Sequence, residues 1–215
     1  MTSLADRLEQ CYSGALYDVL RVMGRPDCVL PPDIRPLQVQ HKLAGPVFTF
    51  TGHRVDGLDP HETLLQWTTM LSRVPAGSVV VCQPDDRRLA YMGELSAETM
   101  QYRGVRGYIV EGGCRDSAFI LRIGFPVFCT HCTPTDVVGR WVAEGFGEPI
   151  RVGNVDVRTG DYVMADRDGI VIVPEELVEE VTAKAEEVLK TESLVRKAIL
   201  AGVDPKEAYL KYGKF

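Results

Sequence analysis

Arg115 and Asp116 stand side by side directly after Gly112-Gly113-Cys114, and Glu94 precedes the arginine by 21 positions. A guanidinium is a planar fork of donors for a carboxylate or an oxyanion. An aspartate is a hard oxygen ligand for a divalent cation. Glu94 lies in Gly93-Glu94-Leu95-Ser96, which reads as the first turn of a helix, where unpaired backbone N–H groups and the positive end of the dipole suit an anion. Together these residues suit a small carboxylate held beside a metal ion. They also have a plainer reading. Asp116 fits as the cap of a helix over 117–123, Arg115 as a surface ion-pair partner, and Glu94 as a charge that favours the helix start.

Which reading holds depends on the elements that carry these side chains. Leu95, Ala97 and Met100 fall in a helical window from 93 to 103, with Gly104 as its stop. Apolar runs at 78–82 and 107–110 read as strands on either side. Strand, helix and strand in that order form a βαβ unit with parallel strands. In open α/β sheets ligands bind beyond the carboxyl ends of the strands. The helix start at Gly93 and a glycine-rich turn at 112–114 both belong at that edge.

The rest of the chain frames this unit. Two helices are expected within residues 3–23, the second capped by Ser13, and then a proline-rich connection with a short strand near 37–39. A strand over 44–51 leads to a helix capped by Asp59 and carrying Leu64, Leu65, Trp67, Met70 and Leu71. Residues 124–129 read as a further strand. Residues 133–141 read as a loop whose Asp136 and Arg140 either reach a site or pair with each other, and the structural reading is favoured for both because nothing in the spacing ties them to Asp116. Short strands at 150–152, 155–157, 162–165 and 170–173 are separated by tight turns, so antiparallel pairing follows. Asp161, Asp166 and Asp168 serve those turns. A helical tail over 175–212 has an apolar stripe through Leu177, Val181, Val188, Val195 and Ile199.

Composition narrows the function classes. The chain has 215 residues, 45% of them hydrophobic, enough for one substantial core over 1–215. A net charge of -6, with 24 basic residues that form no run, argues against a nucleic-acid surface. No apolar run approaches the roughly 20 residues of a membrane span, and MTSLADRLEQ lacks a signal-peptide core, so a cytoplasmic location is expected. The six cysteines read as reduced. Cys129 and Cys132 have CxxC spacing but no second ligand pair, a weak zinc signal that equally fits a strand-end loop.

Gly93-Glu94-Leu95 with Ser96-Ala97, Gly112-Gly113-Cys114-Arg115-Asp116, Gly45-Pro46, Gly160-Asp161, and Asp166 through Pro174 together resemble the RraA-like family, over roughly residues 17–188. That family includes class II pyruvate aldolases acting on 4-hydroxy-4-methyl-2-oxoglutarate and 4-carboxy-4-hydroxy-2-oxoadipate. The resemblance implies an α/β fold, a β/β/α swivelling-domain sandwich with a central βαβ unit and flanking helices. It also implies homotrimers or hexamers with the active site at a subunit interface. It assigns Asp116 as the direct ligand of Mg²⁺, replaceable by Mn²⁺ or another divalent cation, and Arg115 as the group that neutralises substrate charge. The amides of Gly93, Glu94, Leu95 and Ser96 would hold the carboxylate of a small oxo-acid, and Glu94 would orient the water that acts as base. Two departures stand out: glutamate at 94 where these aldolases commonly carry aspartate, and Phe119 where some carry a further acid. The second leaves oxaloacetate decarboxylation as the easier reaction. The namesake of the family inhibits a ribonuclease by binding it, so a non-catalytic protein-binding regulator is the alternative.

Overall fold

The computed structural model describes residues 2–215. The chain opens with α1 (Leu4–Gln10) and α2 (Ser13–Val22), then an irregular stretch holding β1 (Arg35–Pro36). β2 (Leu43–Arg54), α3 (Pro60–Arg73), β3 (Val79–Gln83), α4 (Glu94–Tyr102) and β4 (Gly107–Val110) follow. Next come β5 (Gly113–Cys114), α5 (Ser117–Ile123), β6 (Val127–Cys129), β7 (His131–Cys132) and β8 (Trp141–Phe146). The hairpin strands β9 (Ile150–Val152) and β10 (Val155–Val157), and β11 (Tyr162–Ala165) and β12 (Ile170–Val173), precede a 3-10 turn, Glu175–Leu177. That turn runs into α6 (Val178–Leu200), and α7 (Pro205–Tyr212) closes the chain. No helix among the described residues is long and apolar enough to cross a membrane.

The main sheet has eight strands in the order β1-β6-β4-β3-β2-β11-β12, with β8 added along β2. β2, β3, β4 and β6 run parallel to one another, flanked by antiparallel β11 and β8 on β2 and antiparallel β1 on β6, so β3-α4-β4 is the anticipated βαβ unit. Parallel strands must be covered on both faces, and β4 is buried along its whole length. On one face Val80, Tyr108 and Val110 pack under Trp67, Met70, Met100 and Ile120 from α3, α4 and α5. On the other, Val79, Val81 and Ile109 pack on Val152, Val155 and Val157 of the β9–β10 hairpin. This is the expected β/β/α layering. Beyond it, α1, α2 and α6 cover Ala44, Met164, Val171 and Val173.

Two local expectations change. Ser13 does not cap α2 with its own side chain but is its first residue, and its N–H and hydroxyl both donate to the Asp166 carboxylate, at 2.8 and 2.7 Å. The cap therefore comes from a distant hairpin turn, where Asp166 also accepts the Asp168 N–H. Trp141, expected at the end of a loop, begins β8, which pairs antiparallel with β2. Its indole N–H donates to the Pro84 carbonyl at 2.8 Å.

Phe50 of β2 sits at the centre of an aromatic cluster, edge-on to Trp67 and Trp141 at 5.7 and 5.5 Å between ring centroids, with Phe146 at 5.6 Å. It has no solvent exposure, and it seats the tryptophan that reaches α4. Phe50→Ala is expected to cost about 3–5 kcal/mol in urea unfolding, the range for a deleted core aromatic. A loss below about 1 kcal/mol, the scale of a surface change, would mean that this cluster does not hold α3 to the sheet.

Candidate functional site

After β3 the chain turns back through residues 84–93 before entering α4. Leu89 to Met92 runs alongside β5, with Gly113 N–H on the Leu89 carbonyl at 3.0 Å, Tyr91 N–H on Gly113 at 2.8 Å and Arg115 N–H on Met92 at 2.8 Å. On its other side β5 pairs in parallel with β7. The expected turn at 112–114 is therefore a bend at Gly112 followed at once by the extended Gly113–Cys114 pair, which forms the middle of a small backbone ladder. Its glycines are needed for close approach: a Cβ on Gly113 would lie 2.7 Å from the Leu89 carbonyl, and one on Gly112 would lie 2.6 Å from the Tyr91 ring. The 84–93 segment is itself pinned by Asp86. Burial pushes that carboxyl up, but hydrogen bonds from the Arg88 side chain, the Arg88 N–H and the Tyr91 hydroxyl outweigh it and hold the group below the usual carboxylate range.

The ladder ends at Arg115, and Asp116 then takes a left-handed conformation, φ 55° and ψ 32°, which aspartate tolerates better than most residues. Asp116 occupies the cap position of α5, yet its side chain makes no bond to that helix. The carboxylate turns across to α4, where Oδ2 accepts the Glu94 N–H at 3.1 Å and lies 3.4 Å from Arg115 Nε. The cap of α4, Gly93, has no side chain to offer. A Cβ there would sit 2.8 Å from Asp116 Oδ2 and 3.2 Å from Arg115 Nε, so glycine lets both side chains lie against the helix tip without being pushed aside. Leu95 and Ser96 keep first-turn N–H groups that no intrahelical carbonyl can reach. The Ser96 hydroxyl accepts the Trp67 indole N–H at 2.8 Å.

The sequence reading missed one member of the site. Asp136 does pair with Arg140, at 2.9 Å, but its other oxygen accepts Arg115 Nη1 at 3.0 Å. The signal was confined to the Asp-x-x-x-Arg spacing, because the third partner arrives only through the pairing of β5 with β7.

Glu94, Leu95, Ser96, Arg115, Asp116 and Asp136 line one side of a cavity of about 580 Å³. Leu64, Trp67, Leu71, Val137 and Val138 form an apolar side. Arg115 and Asp116 are 39% and 38% exposed at their side chains, so the site is hydrated. No group of three or more His, Cys, Asp or Glu residues arranged for a metal ion occurs among the described residues. A single carboxylate turned toward a wet cavity, with Glu94 and Asp136 on the same walls, fits a hard cation that keeps most of its water, as Mg²⁺ does. It does not resemble a zinc cage. Cys129 instead lies beside Cys114 and Cys132 as a free thiol; the neighbouring Cys114 thiol holds it below its usual value, while the same contact and burial push Cys114 up.

Residues 13–172 match the model of the RraA-like family, described as Aldolase/RraA. Protein DlpA of Legionella pneumophila is 26% identical over 99% of this chain, which spans only 34% of DlpA's length. A Halalkalibacterium halodurans protein named "Putative 4-hydroxy-4-methyl-2-oxoglutarate aldolase" is 27% identical over 85% of this chain and 83% of its own. Streptomyces coelicolor RraAS2, described as an unusual member of the RNase ES inhibitor RraA protein family, superposes with a TM-score of 0.81 over 90% of this chain and 96% of that one. At 24% identity that likeness concerns the fold.

Gly93→Ala should push the Asp116 carboxylate off the Glu94 N–H at a cost of about 1 kcal/mol or less, because the displaced atoms are the ends of half-exposed side chains and not a packed core. Thermal unfolding and a structure of the variant check this. An unchanged melting temperature with the hydrogen bond intact would contradict the contact.

Proposed function

The chain belongs to the RraA-like family, and we propose that it acts there as a divalent-metal-dependent class II pyruvate aldolase. Its substrate is a 4-hydroxy-2-oxo acid of the 4-hydroxy-4-methyl-2-oxoglutarate type, cleaved to pyruvate and a second oxo-acid, with oxaloacetate decarboxylation as a side activity. The observation that carries this reading is the meeting of Asp116, Arg115 and the α4 tip across 3.1 and 3.4 Å at the wall of one cavity.

The free N–H groups of Leu95 and Ser96 receive the carboxylate of the pyruvyl unit, aided by the helix dipole. Arg115 faces the keto oxygen, where negative charge grows as the reaction proceeds, and a fixed cation in a partly enclosed site stabilises that charge. Asp116 would hold Mg²⁺, Mn²⁺ or another divalent cation, which when bound supplies Lewis-acid stabilisation of the pyruvate enolate. Glu94 orients a water that takes the proton of the C4 hydroxyl. As that proton leaves, the C3–C4 bond breaks, C4 becomes the carbonyl of the second product, and the electron pair passes to the pyruvyl unit as its enolate. A proton returned to C3 completes pyruvate. Oxaloacetate needs no base at C4: its C4 carboxylate leaves as carbon dioxide as the C3–C4 bond breaks, the electron pair passes to the same pyruvyl enolate, and a proton returned to C3 again completes pyruvate. Phe119 supplies no acid; Arg122 lies over its ring at 4.8 Å, and neither lines the cavity.

Assembly as a homotrimer or hexamer in the cytoplasm, with a neighbouring subunit bordering the cavity, belongs to the same proposal, as does the absence of a nucleic-acid or membrane partner. Membership of a family whose namesake is a ribonuclease inhibitor leaves a second reading, a non-catalytic regulator that binds a ribonuclease. Retention of Glu94, Arg115 and Asp116 around one cavity supports the enzyme.

Pyruvate release from oxaloacetate and from 4-hydroxy-4-methyl-2-oxoglutarate, followed with Mg²⁺, with Mn²⁺ and with EDTA, distinguishes the two. Release with either metal and its loss in EDTA are expected, whereas no metal-dependent release from either substrate would favour the regulator. With 4-hydroxy-4-methyl-2-oxoglutarate as substrate, whose C4 hydroxyl must lose a proton, Glu94→Gln should lower kcat by about 10²-fold or more, the range for acid–base catalysis. Unchanged turnover would remove Glu94 from that role.

A further inference from the structure

Asp136 serves two guanidiniums at once. Its Oδ2 accepts Arg115 Nη1 at 3.0 Å, and its Oδ1 accepts Arg140 Nη2 at 2.9 Å together with the Val138 N–H at 3.3 Å. Arg115 is also met by Asp116 through Nε at 3.4 Å. Two carboxylates therefore border the single cation on the cavity wall. Shared by no other cation, those carboxylates would cancel the charge that an incoming oxo-acid needs. Arg140 is the group that shares Asp136, and it is not among the residues that line the cavity. The described contact of its side chain with the site runs through Asp136, while its N–H donates to the Val137 carbonyl.

We propose that Asp136 and Arg140 are positioning residues that fix the aim of Arg115 and set how much of its charge is left for the keto oxygen of the bound oxo-acid. The inference rests on the reading of Arg115 as the oxo-acid-binding group. Asp116 and Asp136 hold Nε and Nη1, so the plane of the guanidinium is fixed by two tethers and Nη2 remains for a ligand. Arg140, by drawing on the other oxygen of Asp136, keeps that carboxylate from closing fully on Arg115.

Distinct outcomes follow for each change. In Arg140→Ala, Asp136 belongs to Arg115 alone, and oxo-acid binding weakens although the lost side chain touches no ligand. In Asp136→Asn the neutral amide keeps the shape, frees the charge of Arg115 and loosens its aim, so binding holds while turnover falls. With Asp136→Asn already in place, Arg140→Ala has nothing left to act through. Loop anchoring alone would lower the melting temperature of each variant and leave substrate affinity where it was.

The experiment titrates pyruvate into the full-length protein with Mg²⁺, read by tryptophan fluorescence because Trp67 lines the cavity, beside kcat and KM for oxaloacetate decarboxylation and a melting curve. Arg140→Ala is expected to raise the pyruvate Kd about fivefold with kcat within about twofold, and Asp136→Asn to lower kcat about tenfold without weakening Kd; the double variant should match Asp136→Asn within about twofold, as a coupled pair requires. Arg140→Lys should restore most of the affinity. An Arg140→Ala variant with unchanged Kd, or one that weakens binding equally in the Asp136→Asn background, overturns the inference while a wild type that binds and reacts leaves the aldolase reading standing. A wild type that neither binds pyruvate nor decarboxylates oxaloacetate overturns both.

Discussion

Everything at the cavity depends on one reach between two elements: the Asp116 carboxylate leaves its own helix and accepts the Glu94 N–H of α4. An aspartate at a helix cap ordinarily bonds the second or third N–H of the helix that it starts. Here the left-handed backbone of Asp116 turns the side chain outward, and α5 begins without a side-chain cap. The arrangement forgoes the modest gain of a local cap, typically about 1 kcal/mol, and places an anionic oxygen beside a helix tip and a guanidinium.

The geometry survives because backbone, rather than side chains, sets it. Leu89 to Met92, β5 and β7 form a ladder on which Arg115 is the last rung, its N–H on the Met92 carbonyl at 2.8 Å. Glycines at 93, 112 and 113 permit distances that a Cβ would forbid. Trp67, packed on Phe50 and bonded to Ser96, fixes the other side of the α4 tip. The main sheet brings β3 and β4 to one edge, and the ladder turns that edge into a cavity with one polar and one apolar wall.

Much of this was legible in the sequence. Periodicity located α4 and its flanking strands, and the close turns after residue 149 located the two hairpins, since both signals are local. The family resemblance located Arg115 and Asp116. What local signals could not convey was long-range. Gly112-Gly113 reads as a turn, because glycine pairs usually mark turns, whereas here they mark a close passage. Ser13 reads as its own cap until Asp166 is brought against it by the fold. Asp136 and Arg140 show a helix-like spacing that conceals the partner of consequence, 21 residues upstream. β8 is defined by its pairing with β2, which no window of its own residues reveals.

The most direct test is a crystal of the protein grown with Mn²⁺ and pyruvate, with the anomalous signal of manganese used to locate the metal. The account predicts a manganese peak at bonding distance from an Asp116 oxygen, with the pyruvate carboxylate on the Leu95 and Ser96 N–H groups and its keto oxygen toward Arg115. A peak elsewhere, or pyruvate bound away from the α4 tip, would contradict it.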